Sequence, residues 1–267
     1  MLELINQLTD VEMKTPTKFG LFHIIFLLIA FIGSIIIFIV PIRLSKRQNK
    51  VLLIFVMIFF YLGELYKQYD YYRHGSWGIG ITNTYHWGIF PFQFCSTHLY
   101  LLPLLLFVPN ESFKKPIYTY LATFGLFAGL ITLIYPLGVF KDRLFVSIHT
   151  MVHHSLMLWT GVYVWKINKA GNLKDFFKAC TILLIFILIA IGINLSLDKV
   201  SNSRVKMFYM HPYVETSLPV FNYIQRVSFI LYVVVYYIVF SLTGLSIYLI
   251  GNKLVNRNRR YHAIYQY

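Results

Sequence analysis

Charge is scarce in this sequence. Of 267 residues only 13% are Asp, Glu, Lys or Arg, and only 10 are acidic. A soluble domain carries about 25% charged residues; with 58% hydrophobic residues, a water-soluble globule is excluded and a polytopic membrane protein is indicated. Cysteine is rarer still. Cys95 and Cys180 each sit in an apolar run, which excludes a disulfide framework. No Gly/Ser-rich linker, low-complexity tract or 20–50-residue repeat interrupts the chain, and the longest stretch between apolar runs, roughly 196–225, is too short for a second domain. The opening MLELINQLTDVEMKTPTKFG mixes acids and bases and lacks the short apolar core and small-residue cleavage site of a signal peptide, so the first apolar run is expected to remain as an uncleaved anchor. The formal charge of +14 could point to nucleic acid. The bases, however, punctuate the apolar runs and form no stripe, so membrane lipids are the expected partners and nucleic acid is not.

Seven runs are long enough to cross about 30 Å of hydrocarbon as helices of about 20 residues: 19–40, 51–69, 86–108, 117–135, 146–165, 176–195 and 226–249. Lipid offers no partner to free backbone amides, so each span is expected to be helical. The fold class is therefore all-α, with a segment at 1–18, one seven-helix membrane domain over 19–250 and a basic tail at 251–267. Pro91 and Pro103 fall inside the third span and should bend it. One set of loops holds Arg43, Lys46, Arg47, Lys50, Lys114, Lys115, Lys166, Lys169, Lys174, Lys178, Lys253, Arg257, Arg259 and Arg260 against two acids, Glu111 and Asp175. The positive-inside rule puts this set in the cytoplasm, the N-terminus outside and the C-terminus inside a plasma membrane.

With that orientation, the ionisable residues within the spans collect in the outer half. The third span contains FPFQFCSTHLYLLPL, with Gln93, Cys95, Ser96, Thr97 and His98 where leucine would suit lipid better. The fifth contains SIHTMVHHSLMLW, with His149, His153 and His154. Glu64 lies near the outer end of the second span, Asn194 near that of the sixth, and His23 opens the first. Each residue has an ordinary structural reading: Cys as a small core residue, Ser and Thr bonding to the preceding turn, Gln93 as helix glue, Glu64 pairing with Lys67 or Arg226. Ionisable groups in lipid cost about 2.5–3.5 kcal/mol each, so their coincidence at one depth points to a shared polar pocket.

Three chemistries fit. His149 and His153 stand at i, i+4 on one helical face and can hold a metal, with Cys95, His98 or Glu64 completing the set; a di-iron oxidase would need more histidine boxes, and no metal or cofactor is assigned. Alternatively, Cys95 is a nucleophile whose proton a fifth-span histidine removes, with Glu64 or Asn194 orienting the ring and Gln93, Ser96 or Thr97 as oxyanion donors. A carrier using Glu64 and the histidines is the third possibility, but the chain has no inverted repeat and no paired broken helices.

These stretches resemble a known family. FPFQFCSTHLYLLPL is similar to the LPLHLC helix of the YwaF-like bacterial integral membrane proteins, and FVSIHTMVHHSLML, IGINLSLD and MFYMHPYVETSLPV are similar to their later segments. The resemblance covers roughly 50–250. It implies distant kinship with a eukaryotic membrane phospholipid acyltransferase that uses a Cys nucleophile with a His. Carried over by position, the nucleophile is Cys95 and the histidine His154, with His153 its neighbour; Gln93 stands where the family usually has His, Ser155 where it often has Gly, and His98 is additional. The resulting expectation is a lipid acyltransferase or lipid-ester hydrolase. Its rivals are a non-enzymatic lipid or small-solute binding protein and a carrier.

Overall fold

The computed structural model describes residues 3, 6–7, 10–41, 44–74, 85, 87–136, 138–167, 169–202 and 205–264, of which 256–264 by backbone alone. Of the sequence readings, Arg43, His86 and the side chains of Arg257, Arg259, Arg260 and His262 fall outside the described residues.

The described chain is helical, and its only β contact is an isolated antiparallel bridge between Glu12 and Arg143. Its helices are α1 (Leu21–Ile39), α2 (Lys46–His74), α3 (Thr97–Phe107), α4 (Glu111–Tyr120), α5 (Leu126–Ile134), α6 (Leu144–Lys166), α7 (Leu173–Ser201), α8 (Phe221–Val227) and α9 (Phe229–Ile264). A π-turn at Leu121–Gly125 joins α4 to α5, making one continuous helix from Glu111 to Ile134. The N-terminal signals are local. Asn110 opens α4 by accepting from the Ser112 and Phe113 amides (2.9 and 3.3 Å), and Asn172 with Asp175 forms a reciprocal capping box at α7.

Five helices among the described residues are long and apolar enough to cross a membrane: α1, α2, α4–α5, α7 and α9. The expected third span is corrected. Residues 87–96 are not α-helical but form two short 3-10 turns, Trp87–Ile89 and Phe94–Ser96, and α3 has only 11 residues. Proline explains the break: Pro91 lacks an amide hydrogen and drives the residue before it out of the α region. Pro103, inside α3, is tolerated.

The fifth expected span exists as α6, 23 residues long, yet it is absent from the five because of its polar side chains. Its packing accounts for that composition. α6 contacts α1, α2, α5, α9 and the π-turn, and residues from Val146 to Trp165 are buried along it. A helix enclosed by protein need not be apolar toward lipid. α1 is the converse, with just 11% of its apolar window buried.

α6 also runs from one end of the bundle to the other. At its start the Leu144 amide donates to the Val11 carbonyl (3.0 Å) and the Met13 amide to Asp142 (2.7 Å), beside the ion pair of Arg143 with Asp70 at 2.7 Å. At its finish Lys166 Nζ donates to the Phe38 carbonyl (2.5 Å) and Tyr163 bonds the Asn49 side chain. The second end carries Lys166 and the lysines near it and is termed the basic end below. At the first, Asp10 receives His74 (2.8 Å) and Arg73 (3.2 Å), whose hydrogen bonds and charge hold its carboxyl below the usual carboxylate range. The main core joins α3, α4–α5, α7, α9 and the 205–210 segment around Leu102, Tyr120, Phe124, Phe176 and Phe208; a smaller one ties α1 to α5 and α6 through Ala30, Leu133, Met151 and Leu158.

Candidate functional site

The histidines of α6 meet α2 and the start of α3 in the half of the bundle away from the basic end. His149 and His153, one turn apart, meet edge to face with ring centroids 5.6 Å apart, and the His153 and His154 rings lie tilted at 5.2 Å. Phe60 of α2 bridges to α3, with its ring 4.9 Å from His153 and 5.1 Å from His98. His153 Nε2 donates to the Cys95 carbonyl at 3.2 Å, so an α6 imidazole rests on the peptide that carries the half-buried thiol. Standard bond lengths put the Cys95 sulfur within about 8 Å of that nitrogen.

The ring nitrogens are not equivalent. A carbonyl only accepts, so the bond to Cys95 puts a hydrogen on His153 Nε2 and leaves Nδ1 with the lone pair when the ring is neutral. His154 has the opposite arrangement: Nδ1 donates to the Thr150 carbonyl at 2.7 Å, leaving Nε2 basic. His98 is wholly buried, and among the described residues neither of its nitrogens has a hydrogen-bond partner; both nitrogens of His149 and the Tyr66 hydroxyl, themselves buried atoms, likewise have none there. Buried polar groups are normally paired. Glycines let these rings approach: a Cβ on Gly125 would lie 2.6 Å from His98 Cε1, and one on Gly63 2.7 Å from His149 Cδ2. Gly125 ends the π-turn, a distortion that often marks functional sites.

Other expected site residues have different work. Glu64 is held by Lys67 (2.8 Å) and by the Gln68 amide (2.6 Å), which also reaches the Ile89 carbonyl (3.0 Å); Arg226 pairs instead with Glu215 (2.7 Å). The Asn194 amide donates to the Met207 carbonyl (3.0 Å) and its oxygen accepts the Met207 amide (2.7 Å). Gln93 donates to the Lys206 carbonyl (3.3 Å) and accepts from the Phe208 amide (3.2 Å). Neither residue is therefore spent on a histidine or an oxyanion: both clamp the 205–209 segment. Thr97 bonds back to Phe94 (3.0 Å), as its ordinary reading holds. His23 has both nitrogens engaged, by the Phe19 amide (2.8 Å) and the Leu133 carbonyl (2.7 Å), and is a structural residue.

The clamped segment escaped sequence reasoning. Phe208 and Tyr209 have φ of 53° and 61°, a conformation costing roughly 1–2 kcal/mol per non-glycine residue. It persists because Phe208 is buried against Phe92, Phe94 and Phe186 and the Tyr209 carbonyl accepts from Tyr232 (3.0 Å). Only the density of aromatics in MFYMHPY hinted at it. Gly63 and Gly125 carried no signal in one sequence.

Among the described residues, no three His, Cys, Asp or Glu side chains converge as metal ligands. A family model matches residues 18–251. The chain belongs to the TMEM164 family. No curated protein and no solved structure matches it. Membership of the TMEM164 family accords with a multi-helical membrane protein; the narrower kinship with YwaF-like proteins and a Cys-dependent acyltransferase goes further than this match.

Proposed function

We propose that this TMEM164-family protein is a plasma-membrane enzyme that transfers or hydrolyses a fatty acyl ester of a membrane lipid, with Cys95 as nucleophile and His153 or His154 as base. The observation that carries the reading is the His153 bond to the Cys95 carbonyl, which sets thiol and imidazoles at one level in a bundle that faces lipid. A neutral histidine takes the thiol proton, and the thiolate attacks the ester carbonyl carbon. The tetrahedral oxyanion collapses, the imidazolium returns its proton to the departing alkoxide, and a lysolipid leaves with the acyl chain as a thioester on Cys95. A second alcohol, or water, then loses its proton to the histidine and attacks the thioester; the new ester or free acid departs and the thiol re-forms. His98 and His149, with unengaged nitrogens, supply hydrogen bonds to the polar part of the substrate.

The same proposal has the chain crossing seven times with its basic end cytoplasmic. Residues 87–107 return the chain toward the basic end as a broken segment, tolerable at membrane depth because it is enclosed by protein, and α6 crosses without needing a lipid-facing surface.

The test is the thioester. Purified protein incubated with vesicles of phosphatidylcholine, phosphatidylethanolamine and phosphatidylglycerol should carry an acyl mass on the Cys95 peptide, released by neutral hydroxylamine and absent from Cys180. Lipid turnover that persists in Cys95→Ala would refute Cys95 as the nucleophile, and absence of both turnover and acyl-Cys95 in wild type would leave non-enzymatic binding or carriage as the replacement.

A further inference from the structure

At the basic end, well away from the histidines, a cavity of about 370 Å³ opens between the start of α4 and the connection from α6 to α7. Its lining includes Glu111, Lys115, Tyr118, Lys169, Asn172 and Asp175. We infer that this cavity is a binding site for a phosphate group, recognised by Lys115 and Lys169. It is independent of the proposed chemistry at Cys95.

The charge balance inside the cavity carries the argument. Both of its carboxylates are already committed: Glu111 Oε1 receives Lys114 Nζ at 2.9 Å, and Asp175 Oδ2 accepts the Asn172 amide at 3.0 Å within the capping box of α7. Lys115 and Lys169 have no carboxylate within ion-pair reach among the described residues. The Lys169 ammonium lies 6.0 Å from the Tyr118 ring centroid, a placement that keeps it over the cavity wall. Lys169 and Lys46 both lie close enough to act on Glu111, beyond ion-pair reach, so this one carboxylate faces three lysines and the surroundings remain basic.

Lysines at this end would be expected for topology alone. Topology, however, asks only for their number near the membrane surface. It does not ask for two unpaired ammonium groups on one concave wall of ligand-sized volume. Walls of that kind between transmembrane helices on the basic side bind the head groups of anionic lipids. The shape is fixed from behind: the Gly171 amide donates to Thr119 Oγ1 (2.9 Å), and the Gly171 carbonyl accepts from Tyr248 (3.2 Å). The phosphate can belong to a lipid head group or to a soluble phosphate compound.

The full-length protein in a neutral detergent is titrated with dioctanoyl phosphatidylglycerol, with dioctanoyl phosphatidylcholine and, separately, with inorganic phosphate, and bound ligand is counted by native mass spectrometry. Wild type should retain phosphatidylglycerol in preference to phosphatidylcholine, and K115Q/K169Q should bind it roughly 30-fold more weakly, from about a fivefold loss per lysine. The control K174Q/K178Q removes the same charge at the same end outside the cavity and should bind as wild type does. If inorganic phosphate binds with the same dependence on Lys115 and Lys169, while the lipids show none, the site stands with a soluble ligand. Equal losses in both double variants, or no loss in K115Q/K169Q, overturns it. Should K115Q/K169Q elute as aggregate, K115Q and K169Q singly carry the same comparison, each with a fivefold loss expected.

Discussion

What each ring nitrogen does sets the histidines of this molecule apart. His23 spends both on backbone groups; His98 and His149 spend neither. Replacing His23 by Ala strands the buried Leu133 carbonyl and the Phe19 amide, costing about 1–3 kcal/mol per stranded group. Thermal unfolding in detergent should show that loss while the remaining folded protein keeps its activity. Cys95→Ala should leave the unfolding midpoint close to wild type and abolish activity, since a single sulfur atom removed from a partly buried side chain costs little packing; Cys95→Ser should be nearly as inactive, the hydroxyl being a far weaker nucleophile. His154→Ala should cost about 10²–10⁴-fold in turnover if its Nε2 is the base. If His153 through Nδ1 is the base instead, the loss moves to His153→Ala and spares His154→Ala. Steady-state lipid assays on the pair of variants decide between them. The i, i+4 spacing of His149 and His153 was legible in the sequence because helix periodicity is rigid. The nitrogens' partners were not, because they are backbone carbonyls contributed by folding.

The elements show where periodicity misleads. One helix over 86–108 implies a rotation of about 100° per residue through Gln93 and Cys95, but the 3-10 turns before Thr97 remove that geometry. Pro91 was visible; what the sequence did not show is that Gln93 and Asn194 both grip the 205–209 segment, which holds the non-helical stretch in place. The Gln93 grip joins residues 113 and 115 positions apart, which no local pattern encodes. Asn194→Ala should strand the Met207 amide and carbonyl in a buried setting and lower stability by about 1–3 kcal/mol, read as a shift of the denaturation midpoint. Because the released segment packs on Phe94, next to Cys95, that variant should also show faster Cys95 labelling by a soluble maleimide. Gly125→Ala tests the π-turn. Its Cβ would meet His98 at 2.6 Å on a ring already confined by Phe60, so activity should fall with His98 displaced even where the protein still folds.

For the molecule as a whole, five apolar helices alone would put the chain's lysines on opposite faces of a membrane. With α1, α2, α4–α5, α7 and α9 as the only crossings, Lys46 follows the first and Lys115 the second, so the two would face opposite compartments. The structure instead gathers both at one end: Lys46 acts on Glu111, where α4 begins, and Lys115 lines the cavity with Lys169. The proposed seven crossings, with the chain returning through 87–107 and again through α6, accommodate that juxtaposition. The charge count, 14 bases against two acids, is what leads to the seven-crossing expectation in the sequence; hydropathy alone singles out five helices, because α6 is wrapped by its neighbours and need not be apolar. Single cysteines placed in a Cys95→Ala, Cys180→Ala background separate the two topologies. With seven crossings, Lys46→Cys, Lys115→Cys and Lys174→Cys should all resist a membrane-impermeant maleimide in intact cells and react after permeabilisation, while Glu12→Cys and Glu215→Cys react at once. Labelling of position 115 in intact cells with position 46 protected would establish five crossings, and labelling of 46, 115 and 174 together would invert the orientation. In either case the level assigned to Cys95 would have to be redrawn.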